Sequence, residues 1–127
     1  MVAGESTLAL PASPTSARVA RAFVRGWCSD LDSADTLDAV ALCVSELVTN
    51  ALDHAAPPYE LRVARACGRL RVEVTDASTR MPVVRPFEPT DGRGRGIFLV
   101  EHVSTQWGVE PKRAGKTVWA EFATPDC

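Results

Sequence analysis

The chain has 127 residues, 46% hydrophobic and 24% charged, which suits one globular domain over residues 1–127 and excludes wholesale disorder or a fibrous repeat. Fourteen basic and 16 acidic residues leave a formal charge of -2, so the concentrated basic surface that direct DNA or RNA binding requires is absent. No apolar run approaches the roughly 18 residues of a membrane span, and Met1-Val2-Ala3-Gly4-Glu5-Ser6 has neither the basic nor the apolar part of a signal peptide. The expected location is the cytoplasm. Cys28, Cys43, Cys67 and Cys127 are scattered with no C-x-x-C pair, and only His54 and His102 stand by to complete a metal site. They are expected to be ordinary thiols, Cys127 a free terminal one.

Thr7 to Leu10 alternates weakly before Pro11 and predicts a short edge strand. Ser13-Pro14 then marks a helix start, a capping hydroxyl followed by a proline whose missing N–H costs nothing in the first turn. Val19, Ala20, Phe23, Val24 and Trp27 recur at helical spacing behind it. A second, longer helix is capped by Ser33 or Asp35 and runs through Leu37, Val40, Ala41, Val44, Leu47, Val48, Ala51 and Leu52. It stops near His54 or Ala55, because Pro57-Pro58 cannot continue it. Alternation at Leu61 and Val63, and at Leu70, Val72 and Val74, predicts two strands joined by a turn at Cys67-Gly68-Arg69. Ser78 to Arg95 has no period and carries three prolines, the pattern of a functional loop or lid. Gly96 opens a helix through Ile97, Leu99, Val100 and Val103 that is expected to end near Trp107-Gly108, and the last strand runs from Thr117 to Ala123. The order β-α-α-β-β-loop-α-β predicts a two-layer α/β (α+β) sandwich, its mixed sheet mainly antiparallel, with the helices on one face.

Three features carry possible chemistry. Glu46, Asn50 and His54 recur every fourth residue and form one polar stripe beside the apolar face of the long helix. Spacing alone favours a plain solvated helix edge. Asp76 ends a strand, where a carboxylate serves either as a turn former or as an acceptor for an amino group of a flat ligand. Gly92-Arg93-Gly94-Arg95-Gly96 leads into a helix, and its backbone N–H groups suit phosphate, although a flexible hinge has the same composition. The run is neither a Walker A loop nor a dinucleotide fingerprint.

Taken in order, these pieces resemble one family over almost the whole chain. Ser45-Glu46-Leu47-Val48-Thr49-Asn50-Ala51-Leu52-Asp53-His54 is similar to the N box of GHKL (Bergerat-fold) ATP-binding domains. Within that group it looks most like the bacterial, notably actinobacterial, anti-sigma-factor serine/threonine kinases. Arg71-Val72-Glu73-Val74-Thr75-Asp76 resembles the strand that ends on the adenine-binding aspartate. Gly94-Arg95-Gly96-Ile97-Phe98-Leu99-Val100 resembles the glycine box closing the ATP lid, and Gly115-Lys116-Thr117-Val118-Trp119 the last strand of the fold. Sensor histidine kinases usually place lysine after the asparagine, where this chain has Ala51.

The resemblance implies that Asp76 accepts a hydrogen bond from the adenine amino group with Thr117 assisting, and that Asn50 binds Mg2+ through its amide oxygen. It implies that Gly94, Arg95 and Gly96 form the phosphate-facing segment of an ATP lid over about 78–95. Glu46 is then the base that takes the proton from an attacking serine or threonine hydroxyl, while His54 orients the helix end or touches phosphate. Two departures stand out. The family's D-x-G-x-G box reads Asp76-Ala77-Ser78-Thr79-Arg80 with both glycines gone, and Asp53 occupies a position where relatives often have arginine.

The implied function is an ATP-dependent protein serine/threonine kinase in transcription regulation. It phosphorylates an anti-anti-sigma (STAS-type) partner, sequesters a sigma factor and forms a homodimer. The altered glycine box keeps an alternative open, a catalytically weak or nucleotide-independent regulatory binding module of the same fold. A GHKL ATPase without a protein acceptor is a third reading.

Overall fold

The computed structural model describes residues 4–31, 33–80 and 96–125. Five strands are described: β1 (Gly4–Leu10), β2 (Tyr59–Ala66), β3 (Arg69–Asp76), β4 (Gln106–Lys112) and β5 (Gly115–Ala123). They form one sheet in the order β1-β2-β3-β5-β4. Every described pairing is antiparallel, in keeping with the mainly antiparallel sheet expected. The register aligns Val63, Val72 and Ala120 in one row and Leu61, Val74 and Val118 in the next, all buried. Because strand side chains alternate in direction, these rows share a face with Leu70 and Phe122 and form the floor of the core.

The helices cover that face. In α1 (Ser16–Trp27) Ala20 and Val24 are buried. This helix starts two residues beyond the Ser13-Pro14 boundary expected from sequence. Ser13 Oγ accepts the Thr15 N–H at 3.2 Å before the helix begins, and Thr15 makes no side-chain cap. In α2 (Ala34–His54) Ser33, rather than Asp35, is the cap: its Oγ accepts the Thr36 N–H at 3.2 Å. Asp35 lies in the first turn, where its charge suits the helix dipole. Val40, Val44, Leu47, Val48 and Ala51 are buried along α2, which packs on β3 and β5. Arg21 Nη1 donates to Ser45 Oγ at 2.7 Å and fastens α1 to its neighbour. The third helix, α3 (Gly96–Val103), buries Ile97 and Val100 and packs against α2.

Two expectations are corrected. The last helix does not reach Trp107-Gly108. It ends at Val103, where Ser104 Oγ turns back onto the Val100 carbonyl at 2.6 Å and the Thr105 N–H bonds the Glu121 carbonyl at 2.8 Å. The capture by β5 starts a strand, β4, that the sequence pattern does not announce. Its Trp107 and Val109 pack on the core from the sheet edge. Cys28 and Cys43 are free, buried thiols as expected, but Cys67 is disulfide-bonded. Such a bond depends on spatial approach, which scattered sequence spacing does not report. Cys127 lies outside the described residues. So do 81–95 of the expected lid, including Gly94 and Arg95.

Candidate functional site

The last turn of α2, the last residue of β3 and the first residues of β5 meet at one end of the sheet. The Ala77 N–H bonds the Ala56 carbonyl at 2.9 Å, tying the exit of α2 to the residue after Asp76. The opposite end of α3 is anchored elsewhere, since Thr105 bonds Glu121 five positions along β5 from Lys116. Gly96 therefore opens α3 at the end not fastened there.

Asp76 is buried, and in the β3–β5 register it stands opposite Lys116. Lys116 Nζ lies 3.0 Å from Asp76 Oδ1, with the two side chains 3% and 2% exposed. The same ammonium donates to the Ser78 carbonyl at 3.3 Å, while the Ser78 N–H donates to Asp76 Oδ1 at 2.8 Å. The ion pair thus also pins the first residues beyond β3. Gly115 permits this closeness, because a Cβ there would fall 1.9 Å from the Asp76 carbonyl oxygen.

Thr117 is placed differently from Asp76. Its Oγ1 lies 2.7 Å from Thr75 Oγ1, and strand alternation sets both threonines on the sheet face opposite the helices. The residue facing Asp76 is Lys116. Sequence reasoning passed over it and Gly115, although one signal was present. Lys116 is in phase with Val118, Ala120 and Phe122, so a lysine begins a series of buried positions.

On α2, Glu46 and Asn50 are half-buried and His54 is exposed. Burial pushes the Cys43 thiol up to about 12, and the nearby Glu46 charge adds to the rise. Among the described residues no group of three or more His, Cys, Asp or Glu side chains converges as a metal cage. Mg2+ needs none, since it keeps several waters and takes phosphate oxygens beside one or two protein oxygens. The Asn50 amide oxygen, a hard donor on a half-buried helix edge, fits that requirement.

The opposite sheet face, which no described helix covers, carries a charged ladder. Arg62 and Arg71 both donate to Glu73, Arg71 reaches Glu121 at 3.1 Å, and Arg62 pairs with Glu5. The Arg71 guanidinium lies 4.2 Å from the centre of the Trp119 ring. Its hydrogen bonds to Glu73 and Glu121 outweigh partial burial and raise its already high pKa.

The sequence signature of the histidine kinase-like ATPase domain matches residues 10–122. The uncharacterized protein SCO4941 of Streptomyces coelicolor is 33% identical over 85 residues, 63% of this chain and 81% of that protein. The RsbU and RsbW domains of Rv1364c from Mycobacterium tuberculosis superpose with a TM-score of 0.70 over 95% of this chain at 18% identity, which speaks for the fold alone. The histidine kinase domain of the Erythrobacter litoralis EL346 blue-light activated histidine kinase superposes with a TM-score of 0.52 over 69% of this chain at 28% identity. This chain spans 32% of the Mycobacterium chain and 44% of the Erythrobacter chain.

Proposed function

The chain belongs to the histidine kinase-like ATPase family, and on that premise we propose that it is an ATP-dependent protein serine/threonine kinase of the anti-sigma-factor type. It phosphorylates an anti-anti-sigma (STAS-type) partner, sequesters a sigma factor and works as a homodimer in the cytoplasm. The observation that supports this best is the hydrogen bond between Ala77 and Ala56. It ties the residue that follows the buried Asp76 to the backbone just beyond the helix bearing Glu46 and Asn50.

In this reading Asp76 accepts the adenine amino N–H through Oδ2, because its described hydrogen bonds both fall on Oδ1. Burial makes that bond selective, since an amino group is matched where water does not compete. Asn50 holds Mg2+, which supplies charge neutralisation on the phosphates. Gly94, Arg95 and Gly96 direct backbone donors at the phosphates ahead of α3. Thr117 bonds Thr75 on the face opposite Asp76, so Lys116, and not Thr117, stands beside the carboxylate. Glu46 takes the proton of the acceptor hydroxyl while its oxygen bonds the γ-phosphorus and ADP departs with the bridging oxygen.

The test is transfer of labelled phosphate from Mg-ATP to a purified STAS-domain partner. Glu46→Ala is expected to keep nucleotide affinity and lower transfer by roughly 100-fold or more. Loss of affinity and transfer together would remove Glu46 from the chemistry.

One observation favours a second reading. The Asp76 carboxylate is already satisfied in part by Lys116 and by the Ser78 N–H, as a nucleotide-independent regulatory binding module would allow. Partner binding that is unchanged by ATP, with no ATP affinity in the chain itself, selects that module.

A further inference from the structure

We propose that Lys116 is the second half of an adenine-reading pair, donating a hydrogen bond to ring nitrogen N1 while Asp76 accepts from the 6-amino group. The inference rests on the nucleotide reading of the site given above. An ammonium has three N–H donors and no acceptor. Among the described residues, the Lys116 donors reach two partners, Asp76 Oδ1 at 3.0 Å and the Ser78 carbonyl at 3.3 Å. One ammonium donor and Asp76 Oδ2 take no part in these bonds, and the β3–β5 register puts the two residues opposite each other at the end of the sheet. The adenine edge offers the complement, an acceptor at N1 beside a donor at the 6-amino group.

The fixed sign of the donor has a consequence. A water or a hydroxyl in the same place rotates to donate or accept, but an ammonium cannot accept. A 6-oxopurine in the same pose presents N1–H to the ammonium and a carbonyl oxygen to the carboxylate, so both contacts become repulsive. Lys116 therefore sharpens selection for 6-aminopurines. Two features hold the ammonium in place. Its side chain is 3% exposed, and both atoms it grips are themselves fixed by the Ser78 backbone and the strand register.

The experiment measures binding of ATP and of 1-deaza-ATP, which replaces N1 by C–H, to the full chain by calorimetry. The unaltered chain is expected to favour ATP by roughly 10- to 100-fold, the range of a charge-assisted hydrogen bond. Lys116→Met, of similar length but without donors, is expected to bind both nucleotides more weakly and to prefer neither by more than about threefold. Lys116→Gln, which retains N–H donors without charge, is expected to keep part of the preference. Equal affinities in the unaltered chain, or an undiminished preference in Lys116→Met, would overturn the assignment while leaving ATP binding intact. Absence of any ATP affinity overturns the nucleotide reading and this proposal together. If Lys116→Met does not melt cooperatively, the two affinities of the unaltered chain decide.

Discussion

A buried ion pair is a costly way to stabilise a small domain. Desolvating two charges offsets most of their attraction, so an apolar pair in the same space often serves as well. Removing one partner is worse, because the other charge stays buried alone. Asp76→Asn or Lys116→Met is expected to lower stability by about 3–5 kcal/mol, whereas the double variant should recover much of that loss. Urea melts of the four proteins check this, and additive losses would contradict a coupled pair. The acid was legible in the sequence as a charged residue at the end of an alternating strand. Its partner was not. Gly115-Lys116-Thr117 reads as a plain turn before a strand until the register shows Lys116, and not Thr117, across from Asp76. Parity along a strand decides which of two neighbours faces the core, and it is fixed by pairing with another part of the chain.

The same dependence on pairing explains which elements were legible. The long α2 declares itself because its apolar positions and its serine cap are local. So do β2 and β3, whose alternation is interrupted by Gly68 at a φ of 73°, a backbone conformation that glycine adopts without strain. The strand β4 does not declare itself. Val103 and Trp107 stand four residues apart and extend the helical pattern, while Gly108 and Pro111 weaken any strand signal. The Glu121 carbonyl, far along the chain, draws the backbone out of the helix and begins the strand, with Ser104 closing the last helical turn. Where β3 and β5 meet, Gly115 is the most closely approached of the described glycines. A methyl group there has no room beside the Asp76 carbonyl. Gly115→Ala is expected to cost roughly 1–3 kcal/mol by forcing the two strand ends apart. It should also weaken ATP binding, because Asp76 and Lys116 move with those ends. A melting curve and a binding isotherm on the variant test both, and an unchanged isotherm would separate this junction from the site.

For the molecule as a whole, the two buried thiols set a limit at high pH. Burial pushes Cys43 up to about 12. It pushes Cys28 up to about 11, where Arg65 lowers the value and Asp30 raises it less strongly. In the unfolded chain both thiols titrate near 9. Between these values the folded chain binds more protons than the unfolded one, so stability falls as pH rises from about 9 through 11 to 12. Urea melts at rising pH should show the decline, and a chain carrying Cys28→Ala and Cys43→Ala should show a shallower one. A slope that ignores the substitutions would assign alkaline unfolding to other groups.

The strand order carries one more consequence. Of the five described strands, β5 is made last, yet it lies between β3 and β4. A ribosome that has released every residue up to Ala114 has delivered both neighbours and the three described helices, but not the piece that joins them. Nascent chains stalled at that point should therefore remain open to protease, and protection should arrive abruptly once Gly115–Ala123 clears the exit tunnel. Because Lys116 comes with that segment, the closed sheet and the Asp76–Lys116 pair are expected to form together.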